Sequence, residues 1–134
     1  MTDNMLVLVV EDSAEDVYLI SRAFEEAGLD CEFQVAEDGE RAFRWIESME
    51  AGGQPRPSIV LLDLNIPRRS GDEVLERFRQ SPGGEQIPVV IMTSSESRAD
   101  HEQALALGAT EYFRKPSSLS EFMQLGSVVR RLCA

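Results

Sequence analysis

The sequence predicts a doubly wound α/β domain, a parallel sheet of five strands with five helices on its two faces, and three observations carry that prediction. Short apolar runs of about five residues alternate with segments of helical period, the mark of repeated βα units. Three of the runs, at 5–10, 58–62 and 88–92, are almost wholly apolar, as strands covered by helices on both faces should be. Four runs stop beside residues able to handle a phosphoryl group: Glu11-Asp12, Asp63, Thr93 and Lys115. The carboxyl ends of parallel strands share one edge, where open α/β sheets bind their ligands, so these distant residues are expected to meet.

The elements follow in order. After the first strand, Ser13 and Asp16 have capping-box spacing, Val17, Ile20, Phe24 and Ala27 form a helical stripe, and Gly28 stands where a C-terminal cap belongs. The second strand is placed at 32–36 and a second helix at 39–50, with Ala42, Phe43, Ile46 and Met49 on its inner face; Gly52-Gly53-Gln54-Pro55-Arg56-Pro57 then breaks the chain as a loop. The nearly apolar third and fourth strands precede helices at 71–80, on Val74, Leu75 and Phe78, and at 97–107, closed by Gly108. A fifth strand at 110–113 leads to a last helix at 118–132, with Ser118 and Glu121 in capping-box spacing and Leu119, Phe122, Leu125, Val129 and Leu132 as its stripe. That stripe reads as a core face whose width also leaves room for contact with a second copy of the chain.

At 134 residues and 43% hydrophobic positions the chain suits one domain with one ordinary core. A net charge of −11 repels polyanionic backbones and anionic membrane surfaces, so neither nucleic acid nor membrane is an expected direct partner. No apolar stretch approaches the ~20 residues needed to cross a bilayer. The acidic opening Met1-Thr2-Asp3-Asn4 lacks the positive start of a secretion signal, and the expected location is cytoplasmic. Cys31 and Cys133 form no CxxC pair and read as reduced, structurally ordinary thiols.

If Glu11, Asp12 and Asp63 ionise within ~5 Å of one another, each pair repels by roughly 3 kcal/mol at an effective dielectric near 20. Either one carboxyl takes a proton or a cation sits among them, and an oxygen-only set without Cys or His selects a hard ion such as Mg²⁺. Glu11 and Asp12 taken alone are equally well read as anions at a helix start. Asp63 is harder to explain away, because it follows the apolar Ile59-Val60-Leu61-Leu62, where an unpaired charge is expensive. A carboxylate can attack phosphorus and form an acyl phosphate when cations screen the incoming charge. Lys115 could supply one such contact and the Thr93 hydroxyl another, although a loop lysine is usually solvated and a threonine after a strand is usually a cap.

Taken together the motifs resemble the receiver domain of two-component response regulators, in the small form typified by the chemotaxis response regulator. They are Val9-Val10-Glu11-Asp12-Ser13, Leu61-Leu62-Asp63-Leu64-Asn65-Ile66-Pro67 with Ser70-Gly71, Met92-Thr93-Ser94-Ser95, and Phe113-Arg114-Lys115-Pro116. The run Glu11-Asp12-Ser13-Ala14-Glu15-Asp16-Val17 and the long loop before Ser58 are similar to the stand-alone receivers served by phytochrome-type kinases. The resemblance implies a flavodoxin-like sheet of order 2-1-3-4-5 and a single receiver domain over 1–134 without an output domain.

By the same resemblance Asp63 is the phosphoacceptor, taking its group from a phosphohistidine of a sensor histidine kinase or a histidine phosphotransfer protein. Asp12 and Asp63 would ligate Mg²⁺, the main-chain carbonyl of Asn65 would join them, and Glu11 would act through a bound water. Thr93 and Lys115 would bind phosphoryl oxygens, Ser94 would leave room for the group, and Asn65 and Ser95 would tune its lifetime. Lys115-Pro116 would be a cis peptide. Tyr112 would turn inward as Thr93 moves, changing the surface between 97 and 132 that meets an unidentified downstream protein. His101, in a polar helix opening, is not expected to act as donor. The chain would catalyse its own phosphorylation and dephosphorylation without being a turnover enzyme.

The chief rival is a haloacid-dehalogenase-type aspartyl-phosphate hydrolase, which needs a second acid two residues after the nucleophile; Asn65 stands there. A flavin mononucleotide carrier is opposed by Glu11-Asp12, which would repel a phosphate lacking a metal. A fold kept only for phosphorylation-independent binding is opposed by the presence of all five expected site residues.

Overall fold

A computed structural model describes residues 5–133; the acidic opening at 1–4 lies outside the described residues. The chain runs β1 (Met5–Val10), α1 (Ala14–Glu26), β2 (Cys31–Ala36), α2 (Gly39–Glu50), β3 (Ile59–Leu62), α3 (Gly71–Arg79), a 3₁₀ turn (Gly84–Gln86), β4 (Val89–Thr93), α4 (Arg98–Ala106), β5 (Glu111–Arg114), α5 (Leu119–Phe122) and α6 (Leu125–Cys133). All strand pairs are parallel, in the order β2-β1-β3-β4-β5. The register sets Val10 between Ala36 and Leu62, so β1 and β3 end side by side at the sheet centre.

Alternation along the strands divides the core. Leu8, Val10, Val60, Leu62, Val89 and Ile91 face one side and pack with Ala42, Ile46, Val74, Leu75, Phe78 and Ala104 from α2, α3 and α4. Val7, Val9, Ile59, Leu61, Val90 and Met92 face the other, against Ile20, Ala23 and Phe24 of α1 and Phe122, Leu125 and Val129 of the C-terminal helices. The period of two in the strands and the wider helical stripes thus close two layers over one sheet. Polar caps start the helices: Ser13, Asp38, Ser70, Ser97 and Ser118 each accept a backbone N–H three residues ahead.

Strand and helix bounds fall within a residue or two of those read from the sequence, with three differences. The fifth helix is split at Met123-Gln124 into α5 and α6, and Leu119, expected on its inner stripe, is 60% exposed in the first turn. The reciprocal capping boxes expected at Ser13 and Asp16 and at Ser118 and Glu121 are half formed: the Asp16 N–H reaches Ser13 Oγ at 3.2 Å and the Glu121 N–H reaches Ser118 Oγ at 3.1 Å. Among the described residues neither acid returns a bond to its cap N–H, and the Ser13 N–H goes to Glu11 Oε2 at 3.1 Å. The Lys115-Pro116 peptide is trans, not cis. Among the described residues no helix is long and apolar enough to cross a membrane.

Candidate functional site

Hydrogen bonds that continue the sheet ladder past its strands deliver the predicted residues to one edge. The Glu11 N–H bonds to the Ala36 carbonyl at 3.0 Å, the Asp63 N–H to the Val10 carbonyl at 3.0 Å, and the Lys115 N–H to the Thr93 carbonyl at 2.8 Å. Each residue therefore keeps the alignment of its strand while its side chain turns to the rim. Glu11 and Asp63 are buried, at 3% and 6% exposure, and Asp12 beside them is exposed. Carboxylate oxygens of the three lie within 4.8 Å of one another.

Lys115 reaches across this cluster. Its Nζ donates to Glu11 Oε1 at 2.7 Å, to Asp63 Oδ2 at 2.9 Å and to Asp16 Oδ2 at 2.7 Å. Burial lifts the Glu11 carboxyl to about 7 against the opposing pull of Lys115. Burial lowers the Lys115 ammonium, but the bonds to Asp16, Glu11 and Asp63 outweigh it and hold its pKa above the ordinary lysine value. The second Asp63 oxygen, Oδ1, accepts the Asn65 N–H at 2.9 Å. Gly71 lets the α3 start close over this loop, because a Cβ there would stand 2.4 Å from the Asp63 carbonyl oxygen and 2.5 Å from Leu64 Cα.

Thr93 is fully buried, and its Oγ1 accepts Asn65 Nδ2 at 3.2 Å and the Ser95 N–H at 3.3 Å. Ser95 links outward: its Oγ donates to Asp100 Oδ2 at 2.7 Å and accepts the Ser97 N–H at 3.1 Å, and its carbonyl accepts the Tyr112 hydroxyl at 3.3 Å. The Tyr112 ring stacks on His101 with centroids 4.3 Å apart and planes 14° from parallel. Ser94 is exposed at the rim.

The structure therefore gathers Glu11, Asp12, Asp63, Asn65, Thr93 and Lys115 at one rim and places Tyr112 one link away through Ser95. Sequence reasoning missed two participants. Asp16 had only the signal of helix-cap spacing, and His101 had none that tied it to Tyr112. The donor set fits a hard divalent ion: it is all oxygen, three carboxylates converge, and Lys115 contacts Glu11 and Asp63 but forms no bond to Asp12 among the described residues.

The family model for the response regulator receiver domain matches residues 7–125. FilR2, a probable methanogenesis regulatory protein of Methanothrix harundinacea, is 36% identical over 119 residues, spanning 89% of this chain and 77% of that protein. Response regulator Rcp1 of Synechocystis sp. is 32% identical over 121 residues, spanning 90% of this chain and 82% of its own length. Among solved structures, the phosphorylated cyanobacterial phytochrome response regulator RcpA superposes with a TM-score of 0.86 at 28% identity, over 96% of this chain and 93% of that one. The Mn²⁺-bound form of Rcp1 gives 0.83 at 31% identity, over 94% and 91%.

Proposed function

We infer, from the premise that this chain belongs to the response regulator receiver domain family, that Asp63 is its phosphoacceptor in two-component signalling. Receiver domains are phosphorylated by histidine kinases or histidine phosphotransfer proteins. The carrying observation is the setting of Asp63: a buried carboxylate at a strand end, one oxygen tethered by a main-chain N–H and the other by an ammonium, facing two further acids.

The chemistry follows from that setting. An Asp63 carboxylate oxygen attacks phosphorus of a phosphohistidine; the P–O bond forms, the P–N bond breaks, and the imidazole leaves with the electron pair and takes a proton from solvent. Lys115 offsets the charge on the transferred group, and the Asn65 N–H fixes the carboxylate plane. Asp12, Asp63 and the Asn65 main-chain carbonyl would hold Mg²⁺, with Glu11 acting through a bound water. When bound, the ion neutralises charge that develops on the phosphoryl oxygens. Asn65 cannot act as the second acid that a dehalogenase-type hydrolase requires, and its carboxamide is engaged with Thr93.

Thr93 is the sensor of the new charge. Its Oγ1 is held by Asn65 and Ser95, so turning that hydroxyl to a phosphoryl oxygen loosens Ser95 and through it the Tyr112 hydroxyl. The responding surface runs from α4 through β5 to α6, and its reader is a protein in the cytoplasm. The resemblance to the phytochrome response regulator RcpA favours a phytochrome-type kinase as the donor.

Incubation with acetyl phosphate followed by intact mass tests the reading. One labile phosphoryl adduct is expected on the wild type with MgCl₂, and none on Asp63→Asn or with chelator. An adduct of equal yield on Asp63→Asn moves the acceptor elsewhere.

A further inference from the structure

Lys115 is the only lysine in the chain, and an ammonium has three hydrogens to give. All three have partners: Glu11 at 2.7 Å, Asp16 at 2.7 Å and Asp63 at 2.9 Å. Asp63 gives up negative charge when it becomes an acyl phosphate, whereas Glu11 and Asp16 are not altered by the reaction and keep their contacts to the ammonium. The hydrogen released from Asp63 is then the one that can meet a phosphoryl oxygen.

The route by which Asp16 becomes available is visible at the start of α1. Asp16 is the third helical residue after the Ser13 cap, the position from which an acidic side chain ordinarily reaches back to the cap N–H. Glu73 does this on α3, accepting the Ser70 N–H at 3.1 Å. In α1 the Ser13 N–H is taken at 3.1 Å by Glu11 Oε2, whose other oxygen holds Lys115. Glu11 thus replaces Asp16 in the cap and frees it to bind an ammonium 99 residues away. An anion in the first turn is favourable in any exposed helix, but Asp16 is largely sheltered, with 23% side-chain exposure against 12% for Lys115.

We propose that Asp16 is a positioning residue: with Glu11 it fixes two hydrogens of the Lys115 ammonium and leaves the third aimed at Asp63 for the incoming phosphoryl group. The proposal rests on Asp63 being the acceptor. Asp16→Asn keeps an oxygen acceptor in place and removes only charge; Asp16→Ala and Asp16→Ser remove the reach.

The test uses the full chain with ¹⁵N at lysine Nζ, so that a single side-chain ammonium is observed. A hydrogen-bonded, slowly exchanging signal is expected in the wild type and Asp16→Asn and is expected to broaden away in Asp16→Ala. Acetyl phosphate labelling with MgCl₂ is expected to run about tenfold slower in Asp16→Ala and Asp16→Ser than in Asp16→Asn, the loss of about one charge-assisted bond. Urea unfolding confirms that each variant folds. Equality of Asp16→Ala with Asp16→Asn in either readout overturns the proposal. A wild type that takes no phosphoryl group refutes the acceptor reading instead, and the ammonium signal still decides whether Asp16 holds Lys115.

Discussion

Replacing Lys115 by methionine preserves most of the side-chain volume and deletes the cation that touches Glu11 and Asp63 at 2.7 and 2.9 Å. Both carboxylates are buried, and removing one partner of a buried ion pair costs about 3 to 5 kcal/mol because the other charge stays uncompensated. Carboxylate oxygens of Glu11, Asp12 and Asp63 lie inside 4.8 Å, and their mutual repulsion, about 3 kcal/mol per pair at an effective dielectric near 20 and present in the wild type as well, is then left without the cation that offsets it. Protonation of Glu11 limits the loss. Its carboxyl is raised from 4.5 to about 7 with Lys115 present, and without that pull it rises further. A raised carboxyl contributes stability while protonated, and that contribution fades as pH climbs from 4.5 through the folded pKa. The metal-free variant is therefore expected to lose about 3 kcal/mol at mildly acid pH and about 5 kcal/mol above neutrality, or roughly 12 to 20 °C in midpoint at ~4 °C per kcal/mol. Saturating MgCl₂ supplies positive charge to the same oxygens and is expected to recover more stability in Lys115→Met than in the wild type. Urea unfolding followed through Trp45, the single tryptophan, measures all four combinations. Equal losses with and without MgCl₂ would show that Lys115 and the ion do not share these carboxylates.

Asp12→Asn removes an exposed acid that Lys115 does not contact, so it is expected to stabilise the metal-free protein by about 1 kcal/mol while abolishing stabilisation by MgCl₂ in the same urea assay. Arg79→Met leaves the carbonyls of Gly84, Ile87 and Gly108 without the guanidinium that ties the end of α3 to two loops; a loss of about 2 to 3 kcal/mol is expected in thermal unfolding. Hydrogen bonds from Arg77 and Ser81 hold the Glu50 carboxyl at about 2, below its usual 4.5. A depressed carboxyl stabilises above its unfolded pKa and loses that contribution as pH falls through the folded one, so Glu50→Gln is expected to flatten the acid limb of the stability profile between about pH 4.5 and 2.

The fold was legible because strands β1, β3 and β4 are apolar on both faces and the helices between them carry one stripe each, two signals that agree over the whole length. The site was legible for a related reason: a charge after an apolar run such as Ile59–Leu62 has no cheap structural explanation, and parallel strands bring their ends together. Asp16 was hidden because a competing explanation was half true; its N–H does bond Ser13, and only the side chain departs from the cap. The break at Met123-Gln124 carries no glycine or proline, and the stripe of Phe122, Leu125 and Val129 continues across it, so periodicity reports one helix. The stacking of His101 on Tyr112 joins α4 to β5, a relation between elements that no local pattern encodes.

The same bonds bound how strongly the site can speak to its surface. A phosphoryl group adds ~1.5 to 2 negative charges beside Lys115 and Thr93, and the path outward from Thr93 is short. It consists of the bonds from Asn65 and Ser95 to Thr93, and those joining Ser95 to Asp100, Ser97 and Tyr112. Each is worth about 1 kcal/mol net, and rearranging the network exchanges old bonds for new ones, so only a part of that sum separates the two states. A swing from 1:99 to 99:1 requires about 5.5 kcal/mol of differential interaction. The Ser95 network alone falls short of this and supports a partial shift of population; a fuller swing would need differential contacts of Lys115 and a bound divalent ion with the phosphoryl oxygens. On the proposed reading the acid cluster would drive the switch and Ser95 would transmit it. Asp16 matters for that reason, since it sets where the Lys115 charge stands when the phosphoryl group arrives.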